Sequence, residues 1–297
     1  MEHAGELLLQ RRAGITKPLG SARARPEIPP AAAAFLRAQR MLVIGSPDDR
    51  GRVWAGTLTG PEGFADPVGE RLIEIGALPA GPLAGLFEED HDIGILGIEP
   101  ATRRRMRANG RARREGDRLV VRTEQVYSNC PKYLQKREPA PAETLAKGPV
   151  TTGDRLTQAQ RRWIGTADTF FVATHVDGLG SDVSHRGGNP GFVRVAGDRR
   201  LSWPEYPGNL MFMTLGNLRL NAACGLLFLD WESGHGLHLT GRAAIAGDGV
   251  AFEVDEVVEV PGEVPLTWRF IEFSPLNPEV SFPAEAGIDQ VLGEDRR

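Results

Sequence analysis

Two apolar runs, RMLVIGS (residues 40–46) and TFFVATHV (169–176), are bounded by turn residues and predict short strands. IGILGIE (93–99) and CGLLFLD (224–230) have the same character. RLVVRTEQVYS (118–128) and GVAFEVDEVVEV (249–260) alternate apolar and polar residues over part of their length, the mark of half-buried strands. Helical segments are fewer. PPAAAAFLRAQ (29–39) opens on prolines and continues in strong helix formers. PGNLMFMTLGNLRLN (207–221) predicts one or two short helices. Many short strands at regular spacing point to a mainly β fold with a few helices, a sandwich or a β-barrel.

The pattern occurs twice. Shifting the chain by 128 positions lays residues 35–64 on 163–192, with a helical lead-in, an apolar strand, a turn at Asp49 or Asp177, and a closing Gly-Phe pair. A shift of 131 lays residues 94–112 on 225–243, where Gly94 meets Gly225 and Gly110-Arg111-Ala112 meets Gly241-Arg242-Ala243. The change of shift places one three-residue insertion between Phe192 and Gly225. Between the halves, residues 136–154 are rich in Pro, Ala and Gly and are expected to be a linker. The expected domains are residues 1–140 and 141–297, each a small barrel, fused so that one chain buries the interface a homodimer would build from two. Either the chain stands alone as such a pseudo-dimer or two chains associate further.

Composition adds limits. The chain has 297 residues and a net charge of −4, so its overall field does not favour nucleic acid. Two cysteines, Cys130 and Cys224, make no disulfide framework and suit a reducing compartment. No apolar run approaches the roughly 20 residues that span a bilayer. The start lacks the pattern of a secretory signal. A soluble, cytoplasmic protein without a membrane or nucleic-acid partner is expected.

Four stretches could carry chemistry. DVSHRGGNPGF (182–192) places Ser184, His185 and Arg186 before two glycines, a set suited to an anion but also to a solvated turn. In residues 204–221, Asn209, Thr214, Gly216 and Asn217 fall close together; Thr214 and Asn217, one helical turn apart, could face one anion or could cap a helix. In RRRMRANGRARR (103–114), Met106 and Ala108 share one strand face, while Arg105, Arg107, Asn109 and Arg111 share the other, toward solvent or a cleft. In YSNCPKYLQKR (127–137), Lys132 and Tyr133 are candidate contacts to a phosphate or a ring, and Cys130 has no nearby base. His235 and His238 lie three apart without a matching carboxylate, so a metal is not expected. P-loop, dinucleotide and nucleophile-elbow signatures are absent.

ADTFFVATHVDGLGSDVSHRGGNPGFVRV, PGNLMFMTLGNL and GLLFLDWESGHGLHLTGRA resemble the pyridoxamine 5'-phosphate oxidase-like family of flavin-nucleotide-binding proteins. QRRAG, GRVWAGTLTGPEGF, TRRRMRANG and NCPKYLQKR resemble the first half of its tandem-domain members, so the resemblance runs from Gly5 to Phe270. It implies two tandem FMN-binding split barrels forming a pseudo-two-fold dimer, with FMN between the halves. It puts Ser184, Arg186, Thr214 and Asn217 where the family's phosphate-binding residues fall. The first half has Gly56 and Leu58 in place of Ser184 and Arg186, which implies one flavin site rather than two. The family's usual Ser-Arg-Lys run is replaced here by TLGNL. Trp54, Tyr133 or the Arg105 face would form the second wall, and His185 is the candidate proton donor. The implied function is FMN-dependent oxidation or reduction of a small organic substrate or redox partner. The alternative is a non-catalytic binder of flavin, deazaflavin or haem.

Overall fold

The computed structural model describes residues 3–17, 19–140, 147–208 and 210–280. Helices α1 (Ala4–Arg12) and α2 (Pro30–Arg37) precede seven strands: β1 (Met41–Pro47), β2 (Val53–Thr59), β3 (Ala65–Pro67), β4 (Leu72–Ile75), β5 (His91–Glu99), β6 (Arg104–Glu115) and β7 (Arg118–Ser128). β8 (Lys136–Ala140), β9 (Thr151–Gly153) and α3 (Gln158–Thr166) lead into seven more: β10 (Thr169–Val176), β11 (Gly180–Gly187), β12 (Arg194–Ala196), β13 (Arg200–Pro204), β14 (Ala223–Leu229), β15 (Gly236–Ala246) and β16 (Gly249–Val260). Helix α4 (Met213–Leu218) lies between β13 and β14, and β17 (Thr267–Glu272) follows. The fold is mainly β, and its strands pair antiparallel.

The first sheet runs β2-β1-β5-β6-β7-β4-β3 and the second β11-β10-β14-β15-β16-β13-β12, the same order twice. Neither path closes into a barrel. Register repeats as well as order. Val43 faces Thr57 as Phe171 faces His185. Both long hairpins slip at the same place, between Asn109 and Gly110 and between Thr240 and Gly241. A Cβ on Gly110 would lie 2.0 Å from the Arg122 carbonyl oxygen, and one on Gly241 1.9 Å from that of Glu253, so each bulge requires glycine. β4 still matches β13 at the shorter shift, since Ile73 faces Val121 and Leu201 faces Phe252. The insertion therefore lies between β13 and β14, where α4 replaces the first half's two 3-10 turns, Gly81–Leu83 and Leu86–Glu88.

The apolar runs of β1 and β10 lack alternation because both of their faces are buried. Leu42 and Ile44 enter the first half's core with Trp54 and Ile95. Phe170 and Val172 enter the second half's core with Trp203 and Phe228. Met41, Val43, Phe171 and Ala173 turn the other way, into a third core shared by the halves. Contacts across this seam follow a pseudo-two-fold axis: β1 meets β10, and β2 against β14 is matched by β11 against β5.

The linker expected at 136–154 is partly sheet. β8 pairs with β17, and β9 pairs with β16. Backbone that the Pro and Ala content assigned to a connection is thus tied into the second half at both ends. Helix α1 lies on α4, and its buried residues are Gly5, Glu6 and Gln10. Among the described residues no helix is long and apolar enough to cross a membrane.

Candidate functional site

β6 alternates as its sequence predicts. Met106, Ala108 and Ala112 enter the first core, and Arg105, Arg107 and Asn109 take the other face, against β11 of the second half. Arg111, farther along that face, pairs with Asp92 near the surface (3.0 Å). Where β6, residues 129–133, β11 and the segment after β13 meet, a cleft of about 110 Å³ opens; Arg105, Lys132, Tyr133, His185, Arg186 and Tyr206 line it. Tyr133 adopts φ 62°, and its ring lies 5.1 Å from that of Tyr206. Its hydroxyl donates to the Pro207 carbonyl (2.5 Å).

The guanidinium groups around this cleft differ in their counter-charge. Arg107 holds Asp182 (2.9 Å) and Arg186 holds Glu205 (2.7 Å). Among the described residues Arg105 holds no carboxylate. It donates to His185 Nδ1 (2.8 Å), to the Lys132 carbonyl (3.1 Å) and to the Cys130 carbonyl. Burial, with the charges of Arg107 and Arg186, pushes the Arg105 pKa down to about 9. The site is therefore short of negative charge. Because Arg105 can only donate, His185 Nδ1 accepts, and its proton sits on Nε2. Burial first, then Arg105 and Arg186, hold the His185 pKa well below its ordinary 6.5, so the ring is neutral at neutral pH.

Six buried polar atoms on side chains lining the cleft have no hydrogen-bond partner among the described residues: Arg105 Nε, Arg107 Nε, Asn129 Oδ1, His185 Nε2, Arg186 Nη2 and the Tyr206 hydroxyl. Such atoms are rare in folded proteins because each costs about 1–3 kcal/mol. They gather at one cleft, and the donors among them would suit an anion.

The structure brings together Arg105, Lys132, Tyr133, His185 and Arg186 of the residues expected at the site. Others lie elsewhere. Ser184 and Thr214 are buried and bonded to each other (2.8 Å); Ser184 also accepts from Arg107 and bonds Asp182 (3.2 Å). The Asp182 carboxylate takes the guanidinium that a phosphate would need there. Asn217 donates to Thr174 Oγ1 (2.9 Å) and accepts from His3 Nε2 (2.7 Å), anchoring the start of α1. Gly216 lets α1 approach, since a Cβ there would sit 2.8 Å from the Glu6 backbone nitrogen. The expected cradle of Ser184, Thr214, Gly216 and Asn217 is thus internal packing beneath α1. Trp54, expected on the second wall, is buried in the first core, with its indole N–H on Asp48 (3.2 Å). Asn209 lies outside the described residues. Sequence reasoning missed Asp182, Tyr206 and Asn129; Tyr206 falls in the inserted region, where the first half offers no counterpart.

The pseudo-two-fold relates Arg107 to His238 and His185 to Thr57, so the opposite side of the seam can be compared directly. It is filled. His238 Nδ1 donates to the Ala55 carbonyl (2.8 Å), and Nε2 pairs with Glu263 (2.8 Å), which also accepts from Thr57 (2.8 Å). Leu83 packs 3.0 Å from where a Cβ on Gly56 would sit. His238, expected to lack a carboxylate, finds Glu263 in the chain beyond β16. Burial works against the charge on His238, but the Glu263 carboxylate and the Ala55 carbonyl outweigh it and raise the pKa.

No protein-family model matches the sequence, and no curated protein matches it. Among solved structures, a histidine-to-alanine variant of HupZ from Group A Streptococcus is similar over 35% of this chain and 98% of that chain, at 17% identity. The TM-score is 0.28, too low to inform the fold.

Proposed function

We propose that this chain is a duplicated split barrel, similar to the pyridoxamine 5'-phosphate oxidase-like proteins, that holds FMN by its phosphate in the cleft between β6 and β11. We infer that it is an FMN-dependent oxidoreductase of a small organic substrate or redox partner. The observation that carries this reading is the half-buried Arg105, a cation with no carboxylate partner among the described residues, beside unpartnered donors of His185 and Arg186. The two sheets of matched order and register support the duplicated barrel.

The donor set fits a phosphate, for which arginine forks and an imidazole N–H are suited partners. The enclosed 110 Å³ suits that head group alone; pockets that bury whole ligands run about 300–1,000 Å³. Tyr133 and Tyr206, on the rim of the cleft, would offer aromatic surface to a flavin ring outside it. When bound, the flavin supplies hydride or electron transfer. Arg105 and Arg186 hold the anion, and Lys132 adds positive charge. His185, neutral, offers Nε2–H as a fixed hydrogen-bond donor; its depressed pKa removes it as a source of an imidazolium proton at neutral pH.

The test is titration of the purified protein with FMN, followed by flavin absorption. Arg105→Gln is expected to weaken binding about 10- to 100-fold, the scale of a hydrogen bond to a charged group. Arg113→Ala, on an exposed residue paired with Glu115, is expected to change nothing. Riboflavin, which lacks the phosphate, is expected to bind far more weakly than FMN. Equal retention of FMN by both variants would refute the phosphate placement. Bleaching by NADH or NADPH, with reoxidation in air, separates an oxidoreductase from a non-catalytic carrier of flavin, deazaflavin or haem.

A further inference from the structure

A second pocket, of about 310 Å³, shares no residue with the cleft. It lies where the end of α3, the start of β10, the turn after β14 and the β8–β17 pair converge. Its aromatic walls are Trp163, Trp231, Trp268 and Phe270. Trp231 and Trp268 stand nearly perpendicular, with centroids 5.1 Å apart and an interplanar angle of 84°. Arg137 lies 4.8 Å over the Trp231 ring and 5.6 Å over Phe270 while its Nη2 holds Asp168 (2.6 and 2.7 Å).

Three wall residues carry buried polar atoms without a partner among the described residues: Arg137 Nη1, Thr169 Oγ1 and the Trp231 indole N–H. A buried indole N–H is ordinarily paired. Asp230, whose Oδ1 accepts from the Glu232 and Ser233 amides and whose Oδ2 is left over, and the exposed Glu232 add carboxylates to the lining, whereas the charge of Asp168 is cancelled by Arg137.

We infer that this pocket binds a sugar, a neutral ring of hydroxyl groups with an apolar face. The choice follows from what each class would leave unpaired. A cation would suit Asp230 and Glu232 but would face the Arg137 guanidinium and leave the indole N–H unpaired. An anion would pair the donors but would have to sit beside both carboxylates. A sugar hydroxyl both accepts and donates, so it can satisfy Arg137 and Trp231 on one side and the carboxylates on the other. The two perpendicular indoles present a face and an edge rather than a parallel slot, which suits the puckered face of a pyranose better than a flat base. The volume lies at the low end for ligand pockets, enough for a single small sugar.

The test uses the full chain, following intrinsic tryptophan fluorescence during titration with methyl β-glucopyranoside, methyl α-mannopyranoside and N-acetylglucosamine. A saturable change in the millimolar range with at least one sugar supports the site. Thr169→Val, nearly isosteric, and Glu232→Gln, at an exposed position, are each expected to weaken that binding about five- to tenfold, the scale of one hydrogen bond, without lowering the unfolding temperature. FMN binding is expected to be unchanged in both, because neither residue lines the cleft. The inference is overturned by no response to any of the sugars, by sugar binding that both variants retain in full, or by a stronger response to tetramethylammonium or adenosine than to the sugars.

Discussion

His185 and His238 are both buried at the seam, yet their environments drive them in opposite directions. The folded pKa of His185 lies well below 6.5, through burial first and then through the nearby Arg105 and Arg186. Below about pH 6.5 the unfolded chain therefore binds a proton that the folded chain refuses, and stability falls as pH falls toward the depressed value. The folded pKa of His238 is raised because Glu263 overcomes burial. Its contribution is fully present below 6.5 and is lost as pH rises through the raised value. Glu263 is the mirror case: burial opposes its charge, but His238 and Thr57 lower its pKa, so its contribution is present above its ordinary 4.5 and is lost as pH falls through the depressed value. Denaturant unfolding across pH checks these signs. His185→Gln is expected to make the acid side shallower by about one proton. His238→Gln is expected to remove the decline on the alkaline side and to cost about 3–5 kcal/mol at neutral pH, because Glu263 is left buried without its partner. An unchanged alkaline limb in His238→Gln would show that the pair is not charged in the folded state.

At the scale of the elements, the two sheets meet closely enough that backbone packs on backbone. A Cβ on Gly225 would lie 2.6 Å from the Val53 carbonyl oxygen and 2.7 Å from Trp54 Cα; one on Gly94 would lie 2.8 Å from Asp182 Cα. No rotamer change relieves a clash with main chain, so Gly225→Ala must part β14 from β2. The expected cost is at least the roughly 1–3 kcal/mol of core overpacking, read as a lower denaturant midpoint at unchanged slope. Stability equal to wild type would mean that the seam is looser than the structure shows. These glycines were visible in the sequence as repeat partners, and the doubly buried strands were visible as runs without alternation, because burial and backbone clearance act on the same positions in both copies. The cleft residues were harder to read. Arg105 and Arg186 stand out as charges on strand faces that the repeat makes apolar or bare. Ser184, Thr214 and Asn217 carry the same hydrogen-bonding groups as a phosphate cradle, and only the fold reveals that Arg107, Asp182 and His3 already occupy them. Helix α1 left no apolar periodicity to find because it docks through Gly5, Glu6 and Gln10; Glu6 receives the Ser21 amide (3.0 Å), and Gln10 donates to the Met211 carbonyl (3.1 Å).

At the scale of the whole chain, duplication would provide two equivalent positions across the seam, and divergence has left one of them open. On one side Arg105 lacks a counter-ion among the described residues and the cleft retains space. On the other, the chain supplies its own anion in Glu263, and Leu83 fills the room above Gly56. A phosphate entering that second side would have to displace a buried carboxylate from His238 and Thr57, exchanging one satisfied pair for another with no gain to offset the disruption. The expected stoichiometry is therefore one FMN per chain, measured by calorimetric titration or by flavin absorption against protein concentration. The shared core of Val43, Leu96, Phe171 and Leu227 ties the halves together, so that single ligand is expected to stabilise both. At 100 times its dissociation constant FMN would add about 2.7 kcal/mol, seen as a rise in one unfolding transition rather than in the later of two. Two equivalents bound per chain would mean that the Glu263 side opens after all, whereas a shift confined to half of the unfolding signal would mean that the seam does not couple the copies.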